Sequence, residues 1–210
     1  MKSLLSALLF AIPAAAQTSG DRISSRKIIT MKPTGETVQL LTSGKETNGA
    51  YAEFLVTLPE GKPGPPLHTH PKQHEYFEAV EGTLGLYADG KKLILQPGES
   101  FTVEPGVQHA FFNAGTGTAK WKARVTPALN FEYLAEETIL ALNRAFPEMP
   151  SDYELKYILW QAKGEYYLAD VSMFKQKILW PLKGWWGKIT GRAKAVTPRK
   201  HAYHLPNKIP

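Results

Sequence analysis

Three imidazoles and a carboxylate fall within eight positions, in Pro66-Leu67-His68-Thr69-His70-Pro71-Lys72-Gln73-His74-Glu75, and any fold for this chain has to accommodate them. On an extended strand, side chains two apart point to the same side, so His68 and His70 can aim two ring nitrogens at one point. That is half of a site for a divalent metal that favours imidazole. Pro71 imposes a bend, and the segment Glu75–Val80 beyond it is rich in aromatic and β-branched residues, as a strand requires. Alternation there places Glu75, Phe77 and Ala79 on one face. His74 then faces the opposite side, although spacing alone leaves it as an alternative to Glu75 as the ligand after the bend. A further nitrogen is available from His109, which follows the Pro105-Gly106 turn and opens a strand.

Strands are predicted over Lys27–Met31, Thr37–Leu41, Ala50–Leu58, Glu75–Val80, Thr83–Tyr87, Lys91–Leu95, Ser100–Val103, His109–Asn113 and Ala119–Thr126. Turn chemistry separates most of them: Asp89-Gly90 is a two-residue hairpin signal, and Pro97-Gly98, Pro105-Gly106 and Gly115-Thr116-Gly117 mark other reversals. Short strands at close spacing with Gly and Pro between them give an all-β sandwich or barrel, of which the jelly roll is one closure.

The two histidine segments resemble the two motifs of the cupin superfamily. The first reads His68-x-His70, four residues, Glu75, six residues, Gly82. The second reads Gly98, five residues, Glu104-Pro105-Gly106, two residues, His109, three residues, Asn113. Glu104 stands where the family has a first proline, and Lys62 where it has a glycine six residues before the first histidine; neither change touches a donor. The resemblance covers about residues 50–126. It implies a single cupin barrel, a double-stranded β-helix of jelly-roll type, binding one divalent transition metal (Fe, Mn, Ni, Cu or Zn) through His68, His70, Glu75 and His109. Similarity to the quercetin-dioxygenase-like members further implies an oxygen-dependent oxidoreductase acting on a small enolic or phenolic substrate. There Glu75 has a catalytic role as base toward a substrate hydroxyl, and Phe77, Phe101 and Phe111 are candidate cavity walls. The alternative is a non-catalytic, metal-containing module for a small ligand, since a fold does not fix a reaction. Small barrels of this kind pair through their sheets, which implies a homodimer.

The rest of the chain frames this barrel. Residues 1–16 carry one basic residue (Lys2), an apolar run from Leu4 to Ile12, and Ala14-Ala15-Ala16, the order of a signal peptide cleaved near Ala16. The expected destination is the periplasm or the cell exterior, and the absence of cysteine excludes disulfides, zinc–thiolate sites and cysteine nucleophiles. Residues 17–25 read as a flexible leader and 26–128 as the barrel. Residues 129–192 form a helical extension, and 193–210 a basic tail whose His201 and His204 are read as solvated. Within the extension, residues 131–146 have helical spacing with Asn130 as N-cap. A second helix spans Asp152–Gln161 behind Ser151, and a Trp- and Lys-rich stretch, 174–189, is interrupted by Pro181 and Gly184.

Charge is concentrated at one end. From Lys175 to Pro210 there are nine Lys or Arg and no acid, whereas residues 1–174 sum to −3, giving the net +6. An anionic partner follows from this, with peripheral membrane contact through residues 174–200 as one form of it. The reading favoured from sequence is that the tryptophans pack on the barrel or on a second subunit, because Pro181 and Gly184 divide the amphipathic face. No nucleic-acid-binding motif is present, so nucleic acid is not expected.

Overall fold

The computed structural model describes residues 28–196. The expected signal peptide and leader, and residues 197–210 of the expected tail with His201 and His204, lie outside the described residues.

Two antiparallel sheets face each other. The first, in the order β1-β2-β3-β10-β5-β8, is built from Ile28–Thr30 (β1), Thr37–Thr42 (β2), Ala52–Leu58 (β3), His74–Glu81 (β5), Ser100–Val103 (β8) and Ala119–Thr126 (β10). The second, β11-β4-β9-β6-β7, uses His68–Thr69 (β4), Leu84–Ala88 (β6), Lys91–Leu95 (β7), His109–Asn113 (β9) and Tyr167–Leu168 (β11). Alternation decides which side of each strand faces in. Ala52, Phe54, Val56 and Leu58 of β3, Phe77 and Ala79 of β5, and Ala119, Trp121 and Ala123 of β10 meet Leu84 and Leu86 of β6 in one apolar interior. At the β6–β7 hairpin Asp89 and Gly90 have φ of 52° and 71°. Left-handed backbone at both central residues is what a two-residue turn needs to follow the twist of its strands.

Helices Phe131–Ala145 (α1) and Asp152–Gln161 (α2) follow the barrel. Ser151 caps α2 through a reciprocal pair: its hydroxyl accepts from the Glu154 N–H, and the Glu154 carboxylate accepts from the Ser151 N–H. Asn130 behaves differently from expectation. It stands at the α1 N-cap position without a side-chain capping bond, because its amide is committed to the Glu165 carboxylate.

The expected interruption at Pro181 and Gly184 is also corrected. A π-helical turn, Lys175–Leu179, runs directly into helix Trp180–Ile189 (α3). Pro181 lies in the first turn of α3, directly after the π-turn. Gly184 lies on the inner side, where an added Cβ would come within 2.7 Å of the Lys156 carbonyl oxygen of α2. These residues permit the helix and its close packing. Behind them Leu134, Ala141, Tyr157, Ile158, Ala162, Ala193 and Val196 form a second apolar cluster, so Ala193 and Val196 of the expected tail are buried while Lys194 and Ala195 between them are exposed.

Candidate metal centre

The first histidine segment reaches across both sheets. β4 pairs with β9 so that His68 stands directly opposite His109, His70 follows β4 at the bend, and Glu75 enters from β5 of the facing sheet. All four side chains are buried, none more than 4% exposed, and one donor atom from each lies within 4.8 Å of the others. His74 points away, exposed, with Nδ1 3.0 Å from a Glu104 carboxylate oxygen. The expected division between Glu75 inside and His74 outside is what a period of two produces.

Backbone carbonyls set the orientation of each imidazole. Nδ1 of His68 donates to the Pro66 carbonyl at 2.8 Å, that of His70 to Glu165 at 2.9 Å, and that of His109 to Val107 at 3.0 Å. With Nδ1 occupied, the other ring nitrogen of each is the one available to the centre. His109 Nε2 donates to Glu75 Oε2 at 2.9 Å, and His70 Nε2 lies 3.6 Å from the same oxygen with no hydrogen bond. A ring donating from both nitrogens is an imidazolium, so His109 and Glu75 form a buried ion pair.

The titration shifts follow from burial and from this pair. Burial holds the His68 imidazole down at about 3, with the neighbouring His109 and His70 acting in the same sense. His70 is lowered by burial against the attraction of Glu75. For Glu75, burial alone would raise the carboxyl, but the His109 hydrogen bond and the nearby imidazoles outweigh it and leave the value at about 2. His109 is raised, because contact with Glu75 overcomes its burial. The cluster thus presents an ionised carboxylate beside two neutral imidazoles.

Apolar and aromatic groups surround it. Phe77 lies edge-on to His109 and close to Phe111, which packs in turn on Trp121; Phe101 packs at the margin of the barrel interior. The motif residue Asn113 is structural, its amide bonding the Leu58 and Gly117 carbonyls.

Three contributors to the centre were not found by spacing. Tyr166 stacks on His68 with ring centroids 4.6 Å apart, and Phe131 lies 5.5 Å from His70. Gln73 is buried, its amide nitrogen held by the Pro127 and Ala128 carbonyls and its Oε1 left without a partner. Tyr166 and the Glu165 carbonyl belong to the extension, about a hundred residues along the chain from the histidines they touch. The link is β11, whose Leu168 pairs with His68. Two-residue β4 and β11 are too short to show an alternating pattern in sequence. A cleft of about 360 Å³ beside Tyr166 is lined by Trp160, Lys163, Tyr167, Lys177 and Trp180 among others.

Residues 54–125 match the family model described as the cupin domain. The "probable oxidoreductase virH" of Hypocrea virens is 39% identical over 54 residues, 25% of each chain. The "probable oxidoreductase patJ" of Penicillium expansum is 38% identical over 60 residues, 28% of this chain and 18% of that one. The chain therefore matches a quarter or less of the length of these curated relatives. Among solved structures, an RmlC-like cupin from Shewanella frigidimarina aligns at 23% identity and a TM-score of 0.43, over 50% of this chain and 86% of that one.

Proposed function

Through the barrel of residues 54–125 the chain belongs to the cupin superfamily, and on that footing we propose that it is an oxygen-dependent oxidoreductase of dioxygenase type. In this reading His68, His70, Glu75 and His109 hold one divalent transition metal, and the substrate is a small enolic or phenolic compound. The observation that carries it is the set of three imidazoles, each fixed at Nδ1 by a carbonyl, grouped around one buried carboxylate.

The residues present fit a metal. His70 Nε2 is a buried polar atom with no hydrogen bond, a situation that costs about 1–3 kcal/mol and is rare without a compensating partner. The proton shared by His109 Nε2 and Glu75 stands where a cation would bind. Three nitrogens and one oxygen suit Fe, Mn, Ni, Cu or Zn, with availability deciding among them. Such an ion supplies Lewis acidity and coordination positions beyond the four protein donors.

The chain supplies the remaining elements. Glu75, ionised and aimed at the centre, is the acceptor for a substrate hydroxyl proton. Phe77 and Phe111 give an apolar wall on the barrel side, and Tyr166 and Phe131 cover the His68 and His70 rings on the other. The cleft beside Tyr166 combines tryptophan and tyrosine rings with two lysines and no acid, a lining that suits a planar phenolic anion. The relatives named as oxidoreductases support a redox reaction over the matched segment.

Metal analysis followed by oxygen uptake with a panel of flavonols, catechols and diketones tests the proposal. Metal-dependent uptake with at least one of them, lost in Glu75→Gln, is expected. The near-complete burial of the four donors favours a second reading, a metal-containing module that binds a small ligand without turnover. Full metal occupancy with no uptake for any of these compounds would select it.

A further inference from the structure

We propose that the outward face of the helix running through residues 174–189 is a seat for an anionic phospholipid surface, with the helix axis lying in the plane of the headgroups. Phe174, Ile178, Leu182, Trp186 and Ile189 follow one another at intervals of four, four, four and three, the spacing of a single helical face. With Leu179 and Trp185 beside them, all are between 45% and 65% exposed. A helix of a globular protein ordinarily buries such a face, and a continuous apolar patch in water marks an interaction surface. Here the inward side is occupied by other residues. Gln176 bonds the Leu168 backbone through both ends of its amide, and Gly184 and Gly187 meet Lys156 and Tyr153 of α2. Trp185 and Trp186, read from sequence as packed, are turned outward because the two glycines take the contact, whereas Trp180 stays packed, with the Lys156 ammonium over its ring at 3.8 Å.

Charge identifies the partner. Lys175 and Lys183 each follow a member of the apolar stripe by one residue, while Lys177 and Lys188 each precede one. At about 100° per residue this sets Lys183 on one edge and Lys177 and Lys188 on the other, with Lys175 between members of the stripe. Lys183 pairs with Asp152, and the ammonium groups of Lys177, Lys183 and Lys188 flank the helix over the rings of Tyr167, Tyr153 and Tyr157; from residue 175 to the C-terminus the chain itself contains no acid. An apolar stripe with tryptophans, edged by cations, matches the layered chemistry of an anionic bilayer surface, with side chains in the acyl boundary and ammonium groups among the phosphates. A symmetric pairing with a second copy would instead set each lysine edge against lysines with no acid from this helix between them. Among the described residues no helix is long and apolar enough to cross a membrane, so the contact is peripheral. The seat is also connected to the metal centre: Gln176 holds Leu168, which pairs with His68.

The test is co-sedimentation of the full chain with vesicles of phosphatidylcholine alone or with about one third phosphatidylglycerol. Binding to the anionic vesicles, weakened by salt and accompanied by a blue shift of tryptophan emission, is expected. The double variant Leu182→Glu, Trp186→Glu should lose about ten-fold or more in binding while keeping its circular dichroism and melting temperature, since both positions are exposed. Absence of wild-type binding, equal binding to neutral vesicles, or equal binding by the variant would overturn the proposal. Light scattering that shows a wild-type dimer, a variant monomer and no lipid binding would assign the face to a second copy and overturn it as well.

Discussion

Replacing His109 by alanine separates what a bound ion contributes from what the protein alone does. In the metal-free chain Glu75 Oε2 accepts from His109 Nε2 at 2.9 Å, and the carboxylate is 4% exposed. Breaking a buried pair by removing one partner costs about 3–5 kcal/mol. His70 Nε2, already 3.6 Å from the same oxygen, can rotate into the role, which places the loss near the lower end, about 3 kcal/mol. For a domain of this size that is a fall of roughly 6–12 °C in Tm. Wild-type protein given metal at about a hundred times its Kd should gain about 2.7 kcal/mol, a rise of similar size. His109→Ala loses one donor of four. Since removing an outer partner of a ligand already costs about 10–100-fold in affinity, loss of the ligand itself should exceed about a hundred-fold. Differential scanning calorimetry with and without metal, and elemental analysis of the purified protein, read both effects. A variant that keeps wild-type metal content, or shows the same metal-induced rise in Tm, would refute the four-donor centre.

Other consequences are equally open to measurement. Glu36 is buried, and desolvation raises its carboxyl from 4.5 to about 7. Its contribution to stability is therefore fully present below about 4.5 and lost as pH rises through about 7; the loss is of order 3 kcal/mol, and Glu36→Gln should flatten urea-melt stability across that window. Gly184→Val sets a side chain against the Lys156 carbonyl, and should destabilise the α2–α3 packing by about 1–3 kcal/mol in a thermal melt. Tyr166→Ala removes the ring stacked on His68 and should weaken metal binding by about ten-fold, within the range for outer groups that orient a ligand. Tyr166→Phe keeps the stacking and should bind metal as wild type does in the same titration.

Much of the barrel is written locally. Lys91–Leu95, Ser100–Val103, His109–Asn113 and Ala119–Thr126 coincide with strands read from alternation and turn residues, because a half-buried strand has to alternate and a hairpin such as Asp89-Gly90 needs left-handed backbone. The inward position of Glu75 and the outward one of His74 are equally local, one residue apart on one strand. The Ser151 cap on α2 is of the same kind, since hydroxyl and carboxylate are three residues apart and complete their bonds without help from the rest of the chain.

Tertiary structure decided what lies between distant segments. Local order allows Asn130 to cap α1, but the Glu165 carboxylate, in the bend four residues beyond α2, takes its amide instead. Pro181 and Gly184 read as breakers because their local preferences oppose a helix interior; in the fold one occupies a first turn and the other a close helix crossing. The same crossing turns Trp185 and Trp186 outward. Glu165 and Tyr166 reach the histidines only because β11 adds to the edge of β4, a pairing of two residues with two that no periodicity announces. Residue order thus determined the barrel and the candidate donors, through interactions a few positions long. The closure over the donors and the exposed helix face depend on side chains brought together across half the chain, where only packing in three dimensions selects among the local options.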